Sequence, residues 1–536
     1  MIMNKRGCLL FLLLILMTAL LTACSNSAEP SSSKEEETGE NLQETGGNLQ
    51  IGVMNDPVSL DPHGANENVS NSINSNMYDR LVYLDKNLEI APGLAESLVQ
   101  IGETTWEASI RKDVQFHDGS QLNAEVVKAN FDRIRDPEIG SPVAFLFNMI
   151  TEVKVIDDYT VHFETEFPFA PLPSHLAHPG GSIISMGSIE ASYEALEKGE
   201  DAFTPTNERP IGTGYFKFED RTPGQSVTLS RHENYWGDEL AKVDTVTFQV
   251  IPEDLTRIAE LETGGIHLTY PVNPSDAERI ENGPDTYLEQ ANSTRMVYLG
   301  FNTEVEPFDD PKVRQAIHMA IDKDGILDGV VSGIGIRADG PIAPDVFGFS
   351  EQIDKITFDR EMAKDLLAEA GYPDGFPTTL LTDDDRERQD LAEMIQYQLS
   401  EIGIDVSIDM FEFGTYLERA GNGESELFLG SWGTVTMDGD YGLYPVFHSS
   451  NKGSAGNRSF IEHDELDQLL DNARQATDEE ERLELYRKAQ NVLAEQSPYA
   501  YLYYPDSIAG VRNEVEGFFQ YPSGFYFLRD VTLKEE

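Results

Sequence analysis

Residues 430–449 concentrate the side chains that could hold a small ligand. The stretch contains glycines and threonines, which offer backbone and hydroxyl hydrogen bonds, together with aromatic rings and carboxylates that could pair with an ammonium group. The candidate contacts are Trp432, Gly433, Thr434, Asp438, Asp440 and Tyr441. Asp438 and Asp440 could instead be ordinary turn residues, because aspartate is common in turns. The composition predicts a ligand-binding loop.

Arg295 is a second candidate, because it is a charged residue at the start of an apolar run. Its planar guanidinium could hold a ligand carboxylate through two parallel hydrogen bonds. The alternative is a structural salt bridge or an exposed strand end. The residue type therefore predicts a carboxylate-binding group if the strand end faces the ligand.

Metal and catalytic sites have weaker support. His175 and His178 form the only close histidine pair, and a transition metal needs more ligands than these two. Asp438 with Asp440, or Ser449 or Ser450 with His448, could form a hydrolase site. Neighbours in sequence rarely face each other productively, however, and no nucleophile-elbow pattern is present. We expect no enzyme activity, no bound metal and no cofactor.

Alternating helices and strands must position these residues. A strand over 296–301 leads through a turn to a helix that begins at Pro311, with Asp310 as its N-cap. Another helix follows Asp359, a third covers about 390–402, and residues 404–410 alternate as a strand. This order predicts an α/β lobe in which helices cover a sheet.

Other patterns give further elements. Residues 74–81 predict the beginning of a helix that points toward the ligand, and Thr477 with Glu480 predicts a capping box. The aromatic-rich stretches 499–504 and 517–527 predict the last strands.

The amino terminus has the pattern of an export signal. Lys5 and Arg6 precede an apolar run from Cys8 to about Leu21, which is shorter than a bilayer-spanning helix. Leu21-Thr-Ala-Cys24 looks like a bacterial lipobox, which predicts cleavage before Cys24 and a lipid on its sulfur. An ordinary signal peptide or an uncleaved anchor is the alternative. The polar residues 25–47 predict a flexible tether.

The cysteine count and the charge set limits on function. Cys8 and Cys24 are the only cysteines, so no intramolecular disulfide is possible after processing, and stability must come from a large core. The formal charge of −56 argues against nucleic acid as a partner. We interpret it as a solvated surface suited to high salt or alkaline surroundings, with attraction of cationic ligands as the alternative.

Several short stretches, in the same order along the chain, resemble the extracytoplasmic solute-binding proteins of the peptide and nickel transporter family (family 5). The resembling stretches are 94–98 with 110–119, 123–131, 210–218 with 234–237, 293–323, 363–372 and 485–490. Each match is weak alone, and together they cover nearly the whole mature chain. The resemblance implies a two-lobed α/β fold of the periplasmic-binding-protein type, class II, in the large three-domain form with a hinge between the lobes.

The resemblance also implies domain boundaries. Residues 1–23 would be the signal peptide and 24–48 the lipid-anchored tether. The expected segments of the folded part are 49–84, 208–292 and 505–536 for the main domain of lobe 1, 85–207 for its extra domain, and 293–504 for lobe 2.

In the resembling family the ligand is clamped between the lobes, which implies roles for several residues. Dipeptide-binding members place an ammonium-pairing aspartate three residues after the tryptophan, where this chain has Val435. Asp438 lies further along, as in a subgroup that resembles glutathione-binding and oligopeptide-binding proteins, so we expect it to hold the ammonium. Thr213 and Gly214 are implied to line the cleft, and Tyr78 and Met186 are further candidates.

The implied function is a lipid-anchored receptor on the outer face of the cytoplasmic membrane. It would capture a short peptide, for example glutathione or a dipeptide or oligopeptide, and deliver it to an ABC transporter permease with a cytoplasmic ATPase. A nickel chelate or another small solute is the alternative within the family. Outside it, the alternatives are a peptide-sensing or chaperone-like surface protein and an extracytoplasmic hydrolase.

Overall fold

The computed structural model describes residues 46–453 and 456–534. The predicted signal peptide, the Cys24 lipidation site and most of the predicted tether lie outside these residues. Among the described residues, no helix combines the length and the apolar character needed to span a bilayer.

Strands and helices alternate through most of the described chain. The strands are β1 (Asn48–Val53), β2 (Val82–Leu84), β3 (Ile90–Pro92), β4 (Ala95–Gln100), β5 (Thr105–Ile110), β6 (Ile150–Asp157), β7 (Thr160–Thr165), β8 (Phe216–Thr222), β9 (Ser226–Arg231), β10 (Thr245–Val250), β11 (Leu268–Thr269), β12 (Thr286–Ala291), β13 (Arg295–Phe301), β14 (Ile336–Arg337), β15 (Pro377–Asp383), β16 (Asp405–Phe411), β17 (Leu427–Gly433), β18 (Tyr499–Tyr504), β19 (Ser507–Arg512), β20 (Val515–Glu516) and β21 (Thr532–Leu533). The helices are α1 (Asn68–Met77), α2 (Ala124–Arg135), α3 (Leu172–Leu176), α4 (Met186–Glu197), α5 (Thr204–Glu208), α6 (Asp254–Thr263), α7 (Ala277–Glu281), α8 (Pro311–Ala320), α9 (Lys323–Gly329), α10 (Arg360–Glu369), α11 (Arg386–Ser400), α12 (Phe413–Gly421), α13 (Gly439–Phe447), α14 (Asp464–Gln475) and α15 (Glu479–Gln496).

Three larger sheets organise the molecule. A seven-stranded mixed sheet has the order β12-β19-β11-β1-β10-β9-β8, and a six-stranded mixed sheet has the order β14-β18-β13-β17-β15-β16. A four-stranded antiparallel sheet, β4-β5-β7-β6, packs against α2. We call residues 46–292 and 505–534, which contain the seven- and four-stranded sheets, lobe 1. Residues 293–453 and 456–504, built on the six-stranded sheet, form lobe 2.

Two short connections join the lobes side by side. The chain leaves β12 at Ala291 and enters β13 at Arg295, and it leaves β18 at Tyr504 and enters β19 at Ser507. Because β12 pairs with β19 and β13 pairs with β18, the two connections are neighbours. This arrangement has the geometry of a hinge, in which a few residues absorb the motion.

The crossing strand β13 is buried on both faces. Val297 and Leu299 belong to one apolar core of lobe 2, whereas Met296 and Tyr298 belong to a second core on the opposite face of the sheet. A strand buried on both faces is expected where helices cover a sheet on both sides. The predicted α/β architecture with two lobes is therefore confirmed.

Helix caps explain several boundaries. The Asp310 side chain accepts from the Lys312 N–H at the start of α8, and Asp359 accepts from the Met362 N–H at the start of α10, as predicted. At α15 the N-cap is Asp478 rather than Thr477. The predicted capping box is wrong by one residue, because aspartate at the neighbouring position caps equally well.

Two other sequence predictions differ from the structure. The helix expected over 74–81 is α1, which begins at Asn68 after its cap Glu67 and ends at Met77, where the chain becomes extended. The stretch 517–527 is not a strand: it forms a single bridge between Gln520 and Tyr526. Its aromatic rings pack without a regular ladder, so their β propensity reflects burial rather than strand pairing.

Candidate functional site

The predicted ligand loop begins where β17 meets β13 at the edge of lobe 2. Trp432 pairs with Met296 and Gly433 with Arg295, so Arg295 lies at the same strand end as the loop. Thr434 is buried, and its N–H donates to the Thr294 carbonyl (3.2 Å), which ties the loop to the connection between the lobes.

The second half of this stretch is helical rather than a loop. Helix α13 begins at Gly439, with Asp438 as its N-cap, and contains Pro445. Met437, just before the cap, has a left-handed backbone (φ 58°), which is costly for a residue with a side chain. The surrounding packing therefore holds the turn into α13 in a fixed conformation.

Asp438 is already paired within lobe 2. It is 6% exposed, and its two carboxylate oxygens lie 2.8 and 3.0 Å from Nη2 of Arg482 on α15. The Asp440 N–H also donates to the Asp438 carboxylate (2.9 Å), as does the Tyr486 hydroxyl at 3.4 Å. Its neighbours thus satisfy the charge and the lone pairs of this carboxylate. This geometry speaks against the expectation that Asp438 is free to hold a ligand ammonium.

Asp440 has one partner in each lobe. Its Oδ1 lies 3.0 Å from Nε of Arg474 on α14, and its Oδ2 lies 3.0 Å from Nε2 of His175 on α3 of lobe 1. Burial alone would raise the pKa of Asp440, but the charge of Arg474 and the contact with His175 together hold that pKa below its ordinary value. The side chain is therefore ionised and compensated.

Tyr441 of α13 contacts lobe 1 through both its hydroxyl and its ring. Its hydroxyl accepts from Nδ2 of Asn66 (3.1 Å), and its ring stacks on Phe145 at 6.0 Å and lies tilted against His178 at 5.4 Å. Within lobe 2, Trp432 packs against the Tyr441 ring, with the ring centroids 5.3 Å apart. Burial raises the pKa of the Tyr441 phenol to about 12, so it stays neutral. The aromatic wall predicted for the loop is thus wedged between the lobes.

Arg295 is half-buried and has no carboxylate within ion-pair distance among the residues that the structure describes. Its backbone N–H donates to the Ser293 hydroxyl (2.9 Å), and its charge lies near Tyr503 of the neighbouring strand β18. A half-buried guanidinium without an internal carboxylate has hydrogen-bonding capacity for a ligand.

The other predicted cleft residues lie in lobe 1, and three of them make contacts within that lobe. Tyr78 donates its hydroxyl to the Leu60 carbonyl (2.9 Å), and Thr213 donates to the Asp79 carboxylate (2.9 Å). Gly214 lies against the α1 backbone, where a Cβ atom would be 2.5 Å from the Met77 carbonyl carbon. Met186 starts α4 and packs, half-buried, against the core of the four-stranded sheet.

The sequence does not reveal the residues of lobe 1 that contact the loop, or the two arginines of lobe 2 that pair with its aspartates. The sequence marks His175 only as half of a histidine pair. The residues that the structure adds to the site are Asn66, Phe145, His175, Arg474 and Arg482. No local pattern marks these residues, because each meets the loop from a distant part of the chain. In the described part of the chain, no group of three or more His, Cys, Asp or Glu side chains is arranged to hold a metal ion.

Two α/β lobes, two adjacent connections and a loop of one lobe wedged against the other define a solute-binding protein of the class II, two-lobed type. Residues 89–454 match the family model for bacterial extracellular solute-binding proteins, family 5 (middle). The chain belongs to this family.

Named relatives agree with this assignment. The chain is 30% identical to the glutathione-binding protein GsiB of Pectobacterium atrosepticum, over 90% of this chain and 94% of that protein. It is similar to the binding protein DppA of Helicobacter pylori solved with the peptide STSA, with a TM-score of 0.83, 30% identity and coverage of 92% and 99% of the two chains. It is also similar to the oligopeptide-binding protein AppA of Bacillus subtilis solved with a nonapeptide, with a TM-score of 0.83, 27% identity and coverage of 92% and 100%.

Proposed function

We propose that this protein binds a short peptide between its lobes and delivers it to the permease of an ABC importer, without catalysing a reaction. The observation that carries the proposal is the meeting of Arg295 and Gly433 at one strand end, beside a loop that reaches lobe 1. The relatives described above are named for glutathione or were solved with peptides, which supports a peptide as the cargo.

We assign different roles to the residues of the loop. Trp432, Gly433, Thr434 and Tyr441 form the proposed ligand wall, with backbone groups and aromatic faces as the contacts. Asp438 and Asp440 hold the loop in place, because each is already paired with an arginine. Arg295 is the proposed partner of a ligand carboxylate, since its charge has no ion-pair partner in the described chain.

The amino terminus supports an anchored location. The apolar run followed by Leu21-Thr-Ala-Cys24 supports export and lipidation at Cys24, so the folded lobes would stay at the outer face of the membrane on a polar tether. A receptor held there is positioned to meet the permease, whose ATPase lies on the opposite side.

Arg295 gives the sharpest test. Native mass spectrometry of the purified protein identifies retained peptide, and calorimetry then compares that peptide as a free acid and as a carboxyl-terminal amide. Arg295→Gln should weaken binding of the acid at least tenfold, about 1.4 kcal/mol, while changing binding of the amide little. Arg487→Gln, which removes a charge from a partly exposed pair on α15, is the control and should affect binding of neither peptide. Equal losses for acid and amide would place the ligand carboxylate elsewhere.

A further inference from the structure

Asp438 and Asp440 lie close together at the start of α13. Each is a buried carboxylate two residues from the other, and each is paired with an arginine of lobe 2, Arg482 or Arg474. Only Asp440 also contacts lobe 1, through His175. Of the two aspartates, Asp440 is thus the one whose contact crosses between the lobes.

Lobe 1 holds His175 in place independently of Asp440. Its Nδ1 lies 2.8 Å from the Leu146 carbonyl, and its ring lies edge-on to Phe169 with centroids 5.1 Å apart. Nδ1 faces a carbonyl of its own lobe and Nε2 faces the Asp440 carboxylate, so both ring nitrogens meet acceptors. Both contacts are attractive when both nitrogens carry a proton, as in the imidazolium form. The imidazole is thus pre-positioned as one half of a contact that lobe 2 completes.

The contact exists only while the lobes are closed. The side chains of His175 and Asp440 are each 2% exposed, so separating the lobes would bring both into water. Arg474 is on lobe 2 and would stay with Asp440, whereas His175 would leave with lobe 1. The closed form gains a polar contact that the open form lacks, and a differential contact of this kind is what shifts an equilibrium between two conformations.

We propose that His175 is a positioning residue that holds the lobes closed through Asp440 and raises ligand affinity without touching the ligand. The consequence for affinity rests on the proposed peptide-binding function, but the closure itself does not. The contact biases the free protein toward the closed form, so less of the binding energy is needed to close the lobes. The strength of the contact between His175 and Asp440 then contributes to ligand affinity, although His175 does not touch the ligand.

The test measures closure in the absence of ligand. In the Cys24→Ser chain without its signal peptide no cysteine remains, so labels can be attached at Glu138→Cys in lobe 1 and Glu480→Cys in lobe 2, both exposed positions. Pulsed electron–electron spectroscopy then gives the distance distribution between the lobes. Glutamine places its amide nitrogen near the position of the histidine Nε2, whereas asparagine reaches only as far as Nδ1.

We expect His175→Asn to raise the ratio of open to closed molecules at least fivefold, and His175→Gln to retain most of the closed population. Asp440→Asn should have little further effect in the His175→Asn background, which is the signature of a shared contact. Glu484→Gln, which breaks a partly exposed pair with Arg487 on α15 and is remote from this contact, is the control and should leave the ratio unchanged in either background. Thermal melting establishes that each variant is folded.

Two results would overturn the proposal. Equal opening by His175→Asn and His175→Gln would show that ring packing rather than the Nε2 contact matters. Full additivity of His175→Asn with Asp440→Asn would show that these two side chains do not act together. Neither result bears on whether a peptide is the cargo, because no ligand is present in the measurement.

Discussion

The indole Nε1 of Trp432 donates to the main-chain carbonyl of Tyr441 (2.9 Å), and Pro445 is the reason that this carbonyl is free to accept. In a regular helix the N–H of residue 445 would donate to the carbonyl of residue 441, but proline has no N–H. The proline leaves an acceptor on the first turn of α13, and the tryptophan uses it. The missing N–H of Pro445 therefore allows a hydrogen bond that holds Trp432 against α13.

Trp432→Phe should leave the buried Tyr441 carbonyl without its donor. An unsatisfied buried polar group costs about 1–3 kcal/mol, and the free energy of unfolding measured in urea should fall by that amount. Pro445→Ala supplies the missing N–H at the correct helical spacing, so it should recover part of the loss in the Trp432→Phe background and give no such gain in the unaltered protein. If Pro445→Ala has the same effect in both backgrounds, the hydrogen bond from Trp432 is not what stabilises the loop.

Asp438→Asn should destabilise the protein strongly. Removing one partner of a buried ion pair costs about 3–5 kcal/mol, because the charge that remains, here on Arg482, loses its compensation. Glu484→Gln, which breaks a partly exposed pair with Arg487 on the same helix, should cost much less, because water and salt screen such a pair. Urea unfolding curves of the two variants provide the comparison.

The same Asp438 variant separates two roles. Because Arg482 occupies the carboxylate, N-acetylation of a bound peptide should cost the same affinity in the unaltered protein and in Asp438→Asn, as measured by calorimetry. A loss confined to the free-amine peptide in Asp438→Asn would show that this carboxylate reaches the ligand ammonium, as the sequence predicts.

Stability should fall as the pH drops from about 6.5 toward 4. Burial, with smaller charge effects, lowers the pKa of His63 to about 4 and the pKa values of His117 and His178 to about 3, so these rings are neutral in the folded protein. In the unfolded chain a histidine takes up a proton near pH 6.5. The unfolded state therefore binds more protons in this window, and acid favours unfolding.

His117→Gln tests one of these groups. His117 Nε2 lies 3.0 Å from the Gly214 carbonyl, a contact that the glutamine amide can retain while removing the titration. We expect the plot of unfolding free energy against pH between 4 and 6.5 to become less steep in this variant. A slope equal to that of the unaltered protein would assign the acid sensitivity to other groups.

Cys24→Ser should prevent lipidation, since no other cysteine follows it in the chain. Cell fractionation and mass spectrometry should find the variant released from membranes or retained as an unprocessed precursor. A variant that still carries diacylglycerol would refute the predicted lipobox.

The helices and strands of the α/β fold could be predicted because their boundaries depend on residues that are close together in the sequence. Asp310 followed by Pro311 marks the start of α8, and the period of two in residues 404–410 predicts β16 to within one residue. Helix α13 was missed because two glycines and a proline within nine residues, Gly439 to Phe447, have the composition of a loop. Its stability comes from the Asp438 cap and from burial of nearly every residue, which composition does not show.

The partners of the loop were beyond sequence reasoning for a different reason. The loop residues Trp432, Asp438, Asp440 and Tyr441 were identified from their types and spacing, but what they contact depends on chain segments far away. Arg482 and Arg474 reach back from α15 and α14, and His175 arrives from the other lobe. In the sequence, Arg474 and Arg482 resemble the solvent-exposed charges of an amphipathic helix. Their burial becomes visible only in the tertiary structure.

The position of β19 in the lobe 1 sheet affects how the chain folds as it is synthesised. β19 lies between β11 and β12 in the sheet of lobe 1, whereas every strand of the lobe 2 sheet precedes it in the chain. A polypeptide that emerges amino end first can complete lobe 2 once Tyr504 is available, while lobe 1 still lacks an inner strand. At that stage β12 has no partner in the sheet and β11 has an open side, and unpaired strand edges promote aggregation. Newly made chains should therefore depend most on chaperones after β18 has appeared and before β19 has, and truncation after β18 should leave lobe 2 folded while preventing lobe 1 from folding.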